Sequence, residues 1–275
     1  MSPHGAPDPL YVRARSVLFD GLDALIEHAD SVILVGEQAV YLHAGEADFA
    51  VAPHTTDGDL AIDARTLSSY PLLEVAMVSR GFARDQQPGS WVSRDDIAID
   101  LLIPESIAGA GTRRVTIPPH SRYSARRVRR LEGALTDNTI AIIRSLDPND
   151  SRERAVRVAG PAALIVAKLV KIGERVADPR RLRDKDAFDV LRLLRAIETD
   201  TLAASLVRLS QDALAAETTR EAIRILESSC GSMDADGPRM VRGHVGPVDE
   251  TPFASELVVR LARRLLRRLG RIADK

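Results

Sequence analysis

The sequence predicts an α+β fold: a small mixed or antiparallel sheet with helices on one side, followed by a mostly helical C-terminal region. Three observations carry this expectation. Short β-branched and aliphatic runs at residues 31–35, 55–63 and 97–103 read as strands. Apolar residues at helical spacing lie between them. Beyond residue 139 the helical spacing dominates. We therefore expect a sheet-bearing domain over 1–135 and a helical domain over 136–275, with a linker-like stretch at 230–249.

Each element has a local reason. Val17, Leu18, Leu22, Leu25 and Ile26 place an amphipathic helix over 10–29. Ser31-Val32-Ile33-Leu34-Val35 is a short buried strand that Gly36 ends, and Glu37 to His43 begins a helix. Residues 48–53 read as a loop. A helix over 71–81 stops at Gly81. Trp91-Val92-Ser93 opens a hairpin into the strand that holds Asp100. Val115-Thr116-Ile117 reads as an edge strand stopped by Pro118 and Pro119. Pro161 suits a helix start, and Asp184 caps the next helix, to about Arg195. Two more helices are expected over 202–215 and 218–229. Gly and Pro make 230–249 a loop. A final amphipathic helix spans 256–271.

Composition narrows the class. The chain has 275 residues, 45% of them apolar and 28% charged, as in an ordinary soluble protein. A single cysteine, Cys230, allows no intramolecular disulfide and suits a reducing, cytoplasmic setting. The first nine residues have neither the basic start nor the apolar core of a signal peptide. No apolar run reaches the ~18 residues of a membrane span, so no membrane partner is expected. A net charge of −1 gives no global footprint for nucleic acid.

The chemistry concentrates in three acids. In Thr56-Asp57-Gly58-Asp59-Leu60-Ala61-Ile62, strand alternation sends Asp57 and Asp59 to one face and Leu60 and Ile62 to the other. In Ile97-Ala98-Ile99-Asp100-Leu101, Asp100 stands opposite the isoleucines. If the two strands are neighbours, three carboxylates converge. Such a cluster repels itself unless a cation sits in it. An oxygen-only ligand set suits Mg²⁺ or Mn²⁺. The competing reading of Asp-Gly-Asp is a plain turn, but an acid inside an Ile/Leu strand is costly unless it is paired or metal-bound. Upstream, the strand–Gly36–helix order offers free N–H groups at Gly36, Glu37 and Gln38 to a phosphate. A phosphate binder followed by paired acids is what metal-dependent phosphoryl or nucleotidyl transfer requires.

In this order, Leu34-Val35-Gly36-Glu37-Gln38-Ala39, Thr56-Asp57-Gly58-Asp59 and Ile99-Asp100 resemble the nucleotidyltransferase superfamily of the polymerase-beta type. More narrowly they resemble the AbiEii/MenT class of nucleotidyltransferase toxins. Leu164-Ile165-Val166-Ala167-Lys168-Leu169 and Arg183-Asp184-Lys185-Asp186-Ala187-Phe188-Asp189 are similar to later helices of that class. The resemblance covers residues 17–195. It implies a nucleotidyltransferase core that moves a nucleoside monophosphate from an NTP to an acceptor hydroxyl. Asp57, Asp59 and Asp100 would hold the metal. Gly36, Glu37 and Gln38 would hold the triphosphate. Lys168, or Lys171 one turn on, would bind phosphate, and Asp186 would orient the lysine. It also implies an RNA acceptor of tRNA kind and a cognate antitoxin as partner. One departure stands out: the class has a small residue after the glycine, and this chain has Glu37. A glutamate facing the site would repel a triphosphate. Facing away, it would leave its N–H free.

Two basic features remain. Arg113, Arg114, His120, Arg122, Arg126, Arg127, Arg129 and Arg130 follow the Asp100 strand, and no acid lies between Arg113 and Glu132. They read either as a solvated face or as a phosphate-backbone contact that suits RNA. The last helix carries six arginines opposite a leucine stripe, the normal pattern of a surface helix. Lys168, Asp186 and Asp189 also admit a purely structural reading, in which the lysine snorkels to solvent and the acids pair with Lys185, Arg192 or Arg183. Alternatives in other classes are transfer to a small molecule such as an antibiotic, and a non-catalytic nucleotide-binding relative.

Overall fold

A computed structural model describes residues 8–45, 55, 57–176, 184–245 and 251–273. The N-terminal tail before residue 8, the loop over 48–53, Thr56, Arg183 and the end of the 230–249 stretch lie outside them. The chain divides into two units, residues 1–41 with 48–159 and residues 42–47 with 160–275.

The first unit is built on a mixed sheet, as the sequence predicts. Its strands are β1 (Val32–Val35), β2 (Asp57–Ile62), β3 (Ala83–Arg84), β4 (Ser90–Val92), β5 (Ala98–Pro104), β6 (Arg126–Val128), β7 (Asn138–Arg144) and β8 (Glu153–Ala159). The order is β3-β4-β5-β2-β1-β8-β7, with β6 paired to β5. β2 runs antiparallel to β1 and parallel to β5. Helix α1 (Pro9–Ala24) covers the apolar face. Leu18 and Ile99 press on Gly58, where a Cβ would come within 2.7 Å of Ile99 Cδ1. Gly58 is thus a strand residue that makes room for packing, and Asp57-Gly58-Asp59 is not a turn.

Several expectations are corrected. α1 stops at Ala24, and a 3₁₀ turn, Ile26–Ser31, finishes the predicted helix. The helix expected over 71–81 is α3 (Leu73–Ser79). Residues 115–119 form no strand; Ile117 makes only an isolated bridge to His120, and β6 takes the place beside β5. The largest miss is the β7–β8 hairpin, where helix was expected. Its signals were present: β-branched Thr139-Ile140-Ala141-Ile142-Ile143, then Asp147-Pro148-Asn149 as a turn, then alternating Val156-Arg157-Val158.

The second unit is helical: α5 (Pro161–Val176), α6 (Asp184–Ala196), α7 (Thr199–Gln211), α8 (Ala216–Cys230), α9 (Asp236–Val245) and α10 (Thr251–Ala273). The short helices α2 (Gly36–Ala44) and α4 (Glu105–Ala108) precede them in the chain. α9 occupies part of the stretch read as a linker. Its Met240 and Val241 are buried, which the Gly/Pro count concealed. α10 buries Leu257, Val258, Leu265 and Leu269 and turns its arginines outward. Cys230 is fully buried, and burial pushes its thiol up to about 12, so it is inert as a nucleophile.

A buried histidine fixes the start of α3. His120 accepts the Leu73 N–H at Nδ1 (3.2 Å), so Nε2 carries the proton and faces the Ser68 carbonyl at 3.0 Å. His28 packs edge-on against it at 5.8 Å, and Glu74 lies nearby, held by Ser121 and Ser124. Burial holds the His120 imidazole below its ordinary value of 6.5, helped by His28 and opposed by Ser68 and Glu74. The unfolded chain therefore takes up this proton first. Stability is complete above the ordinary histidine value and falls as pH drops below it. Thermal melts from pH ~8 to ~5.5 should show the midpoint falling below pH ~6.5 in the wild type. His120→Gln should flatten that fall. An equal slope in both proteins would contradict the assignment.

Candidate functional site

Strand register builds the site. Asp59 is the cross-strand partner of Val35 on β1 and of Asp100 on β5. Paired residues on adjacent strands share a face about 4.8 Å apart. Asp59 and Asp100 are therefore neighbours, and Asp57 lies two residues along the same face, opposite Leu60, Ile99 and α1. All three acids are half-buried.

Gly36 closes one side. It follows Val35 directly, so the β1–α2 junction lies against Asp59. Its φ is +70°, and a Cβ there would sit 2.2 Å from Asp59 Oδ2. Only glycine meets both conditions. The first turn of α2, with its outward N–H groups, thus opens beside the acid pair.

Glu37 turns away from this opening. It is buried, and its Oε1 accepts the Tyr41 hydroxyl at 2.6 Å, one turn further along α2. Tyr41 packs edge-on against Tyr11, whose hydroxyl accepts from Arg15 at 2.9 Å. The side chain of Gln38 is also committed. Its Oε1 accepts from Arg15 Nε (2.8 Å), and its Nε2 donates to the carbonyls of Ala14 (3.3 Å) and Asp57 (3.1 Å). Of Glu37 and Gln38, then, the backbone is what a phosphate would meet. Arg15, fully inside the first unit, was missed because an arginine within an amphipathic helix reads as a solvated residue.

The acids do not form a ready-made cage. Among the described residues, no group of three or more His, Cys, Asp or Glu side chains stands close enough to hold an ion. Each outer acid has its own partner. Thr55 donates to Asp57 Oδ1 at 2.9 Å, and Arg126 pairs with Asp100 Oδ2. Like charges on one face are thereby eased without metal. Asp100 Oδ1, in contrast, is buried and has no hydrogen bond among the described residues. That orphaned oxygen, in an all-oxygen donor set beside Asp59, fits a hard divalent cation.

The basic segment divides into two kinds of residue. Arg126 serves Asp100, and Arg127 donates to the carbonyls of Thr112 and of Ala108 (3.1 Å). Arg129 and Arg130 are half-buried. Arg113, Arg114 and Arg122 are exposed. The segment is thus part scaffold and part surface.

The second unit holds its own charge cluster. Lys168, 5% exposed, is bonded to Asp189 and lies 3.4 Å from Asp186. Lys171 (3.1 Å) and Arg175 (2.8 Å) also reach Asp186. Burial raises the Asp186 carboxyl, but the charges of Lys168, Lys171 and Arg175 outweigh it and hold it below the ordinary carboxylate value. Its stabilising effect is present at neutral pH and is lost as pH falls through that lowered value. Removing one member of such a buried pair costs about 3–5 kcal/mol. Lys168 does not snorkel to solvent but is buried between the acids, and Asp186 and Asp189 pair with Lys168, Lys171 and Arg175, partners the structural reading did not name. Lys171, the more exposed lysine, is the better placed of the two to meet a ligand.

Glu37→Ser tests the inward orientation. It leaves the Tyr41 hydroxyl without this acceptor and should cost about 1–3 kcal/mol in chemical denaturation. Nucleotide affinity should be unchanged. Tighter nucleotide binding at unaltered stability would place Glu37 at the phosphates instead.

No protein-family model matches the chain, and no curated protein does. Among solved structures, the chain is similar to the crystal structure of a proposed nucleotidyltransferase from H. pylori. Identity is 12% and the TM-score is 0.35, over 96% of this chain and 98% of that one. Function is therefore argued from the residues of this chain.

Proposed function

We propose that the chain is a metal-dependent nucleotidyltransferase that moves a nucleoside monophosphate from an NTP to a hydroxyl on RNA. One observation carries this reading: Asp59 is in register with Asp100 while Gly36 and the first turn of α2 lie against its carboxylate. Acids for a metal and N–H groups for a phosphate thus meet at one strand end. Asp57, Asp59 and Asp100 would hold Mg²⁺ or Mn²⁺. When bound, the metal supplies charge for the phosphates and a more acidic acceptor hydroxyl.

The chain's own residues supply the rest. The N–H groups of Gly36, Glu37 and Gln38 orient the triphosphate and neutralise part of its charge. The buried Glu37 side chain adds no repulsion at that turn. Asp100 would meet the metal through Oδ1, the oxygen that has no hydrogen bond among the described residues. Arg126 holds Asp100 through the other oxygen and so fixes which oxygen is free. Lys168 and Lys171 are the phosphate-binding cations that the resemblance implies, oriented by Asp186. The exposed Arg113, Arg114 and Arg122 support an RNA acceptor, tRNA by resemblance, and the toxin role with a cognate antitoxin rests on resemblance as well. Arg126, Arg127, Arg129 and Arg130 complete the basic segment from within.

A second reading has one observation in its favour. Arg126 already supplies a cation to Asp100, as a non-catalytic nucleotide binder would require. Transfer of label from α-labelled NTPs into total RNA decides between the two. Wild type should label RNA only with Mg²⁺ or Mn²⁺, and Asp59→Asn and Asp100→Asn should each lower the rate at least ~100-fold while the fold is kept. Nucleotide binding without transfer in the wild type would favour the non-catalytic reading. Full activity in either variant would end the metal assignment.

A further inference from the structure

Three guanidinium groups gather on one tyrosine ring at the surface of the first unit. The guanidinium carbons of Arg84, Arg114 and Arg122 lie 4.9, 4.8 and 5.2 Å from the centroid of the Tyr123 ring. No two of them can then be more than about 10 Å apart, close to the screening length of physiological salt. All three arginines are exposed. None has a carboxylate partner among the described residues. Arg122 also lies 3.4 Å from the Tyr123 hydroxyl.

The cluster is held from below. Arg84 comes from β3, and the other members come from the segment between β5 and β6. The Gly89 N–H donates to the Tyr123 carbonyl at 2.9 Å, and Trp91 Nε1 donates to the Ser124 carbonyl at 2.9 Å. Leu101 N–H in turn donates to Gly89 at 2.7 Å, one residue beyond Asp100. The ring is thus tied by backbone bonds to the strand that carries the acid.

Cation–π contacts at a solvent-facing ring are weak. They must work against mutual repulsion of three like charges. A solvated arginine face would relieve that repulsion by spreading the side chains. Here they converge. Arg122 turns one N–H to the Tyr123 hydroxyl, and the guanidinium N–H groups beyond that contact match phosphate oxygens.

We propose that Arg84, Arg114 and Arg122, gathered on Tyr123, form a phosphate-binding site. The phosphate comes from either of two sources with the same chemistry, a free polyphosphate or the backbone of a nucleic acid. The site rests on this geometry and not on the transfer reaction, so binding measured without metal holds or fails whether or not transfer occurs. Bound phosphate also leaves a signature on the ring. The hydrogen bond from Arg122, then the charges of Arg114 and Arg122, hold the Tyr123 phenol below its ordinary value of 10.0. An anion seated on the arginines cancels that effect and raises it.

The test uses the full chain in EDTA, with inorganic tripolyphosphate and a single-stranded RNA of ~20 nucleotides as separate probes. Wild type should bind at least one. The triple variant Arg84→Gln, Arg114→Gln, Arg122→Gln should weaken that binding at least ~10-fold. Tyr123→Phe should keep it, and Tyr123→Ala should lose much of it. Binding of both probes points to the phosphate alone. Binding of RNA only, with a log K–log salt slope reduced by about 0.7 for each contact removed, points to a backbone. Equal binding by wild type and triple variant overturns the site. If the triple variant does not fold, the wild-type minus Tyr123→Phe ultraviolet titration decides. A phenol midpoint unmoved by saturating amounts of both probes overturns the site as well.

Discussion

The register of β2 between β1 and β5 is the constraint on which the rest depends. Val35, Asp59 and Asp100 stand in register across three adjacent strands. A slip of one residue would turn Asp57 and Asp59 onto Leu18 and Ile99 and expose Leu60 and Ile62. The apolar packing under α1 therefore fixes where the acids stand. Gly58 makes the packing close enough, and Gly36 makes the β1–α2 junction close enough. The same two glycines that shape the fold shape the site.

Charge is managed differently in the two units. In the first, two of the three acids on one face are eased separately, Asp57 by Thr55 and Asp100 by Arg126. Asp100 Oδ1 is left buried without a hydrogen bond among the described residues. In the second, Lys168, Lys171 and Arg175 converge on Asp186, and the cluster is satisfied internally. Buried pairs of this kind are costly to break. Lys168 therefore has a structural reason to be where it is, whatever ligand the cluster also meets.

The sequence carried the acid face of each strand well, because strand alternation is local, but it left open whether β2 and β5 are neighbours, which their pairing supplies. It also carried α5, α6 and α10, where apolar periodicity is strong. It failed where context overrides pattern. The β7–β8 hairpin was missed although its strands are as long as β5, because strong helical spacing follows directly after it. α9 was hidden by glycine and proline inside an amphipathic turn. Arg126 read as a surface base, since nothing local reveals that its strand lies parallel to β5 and faces Asp100. Arg84 was invisible as a partner of Tyr123 because some forty residues separate them. Glu37 could be read either way until Tyr41 was seen to hold it.

Anomalous diffraction from crystals grown with Mn²⁺ and a non-hydrolysable NTP tests the central claim most directly. The account predicts a manganese peak in contact with Asp59 and Asp100, and phosphate oxygens on the N–H groups of Gly36, Glu37 and Gln38. Nucleotide bound with no manganese at these acids, and Arg126 as the sole cation at Asp100, would contradict it.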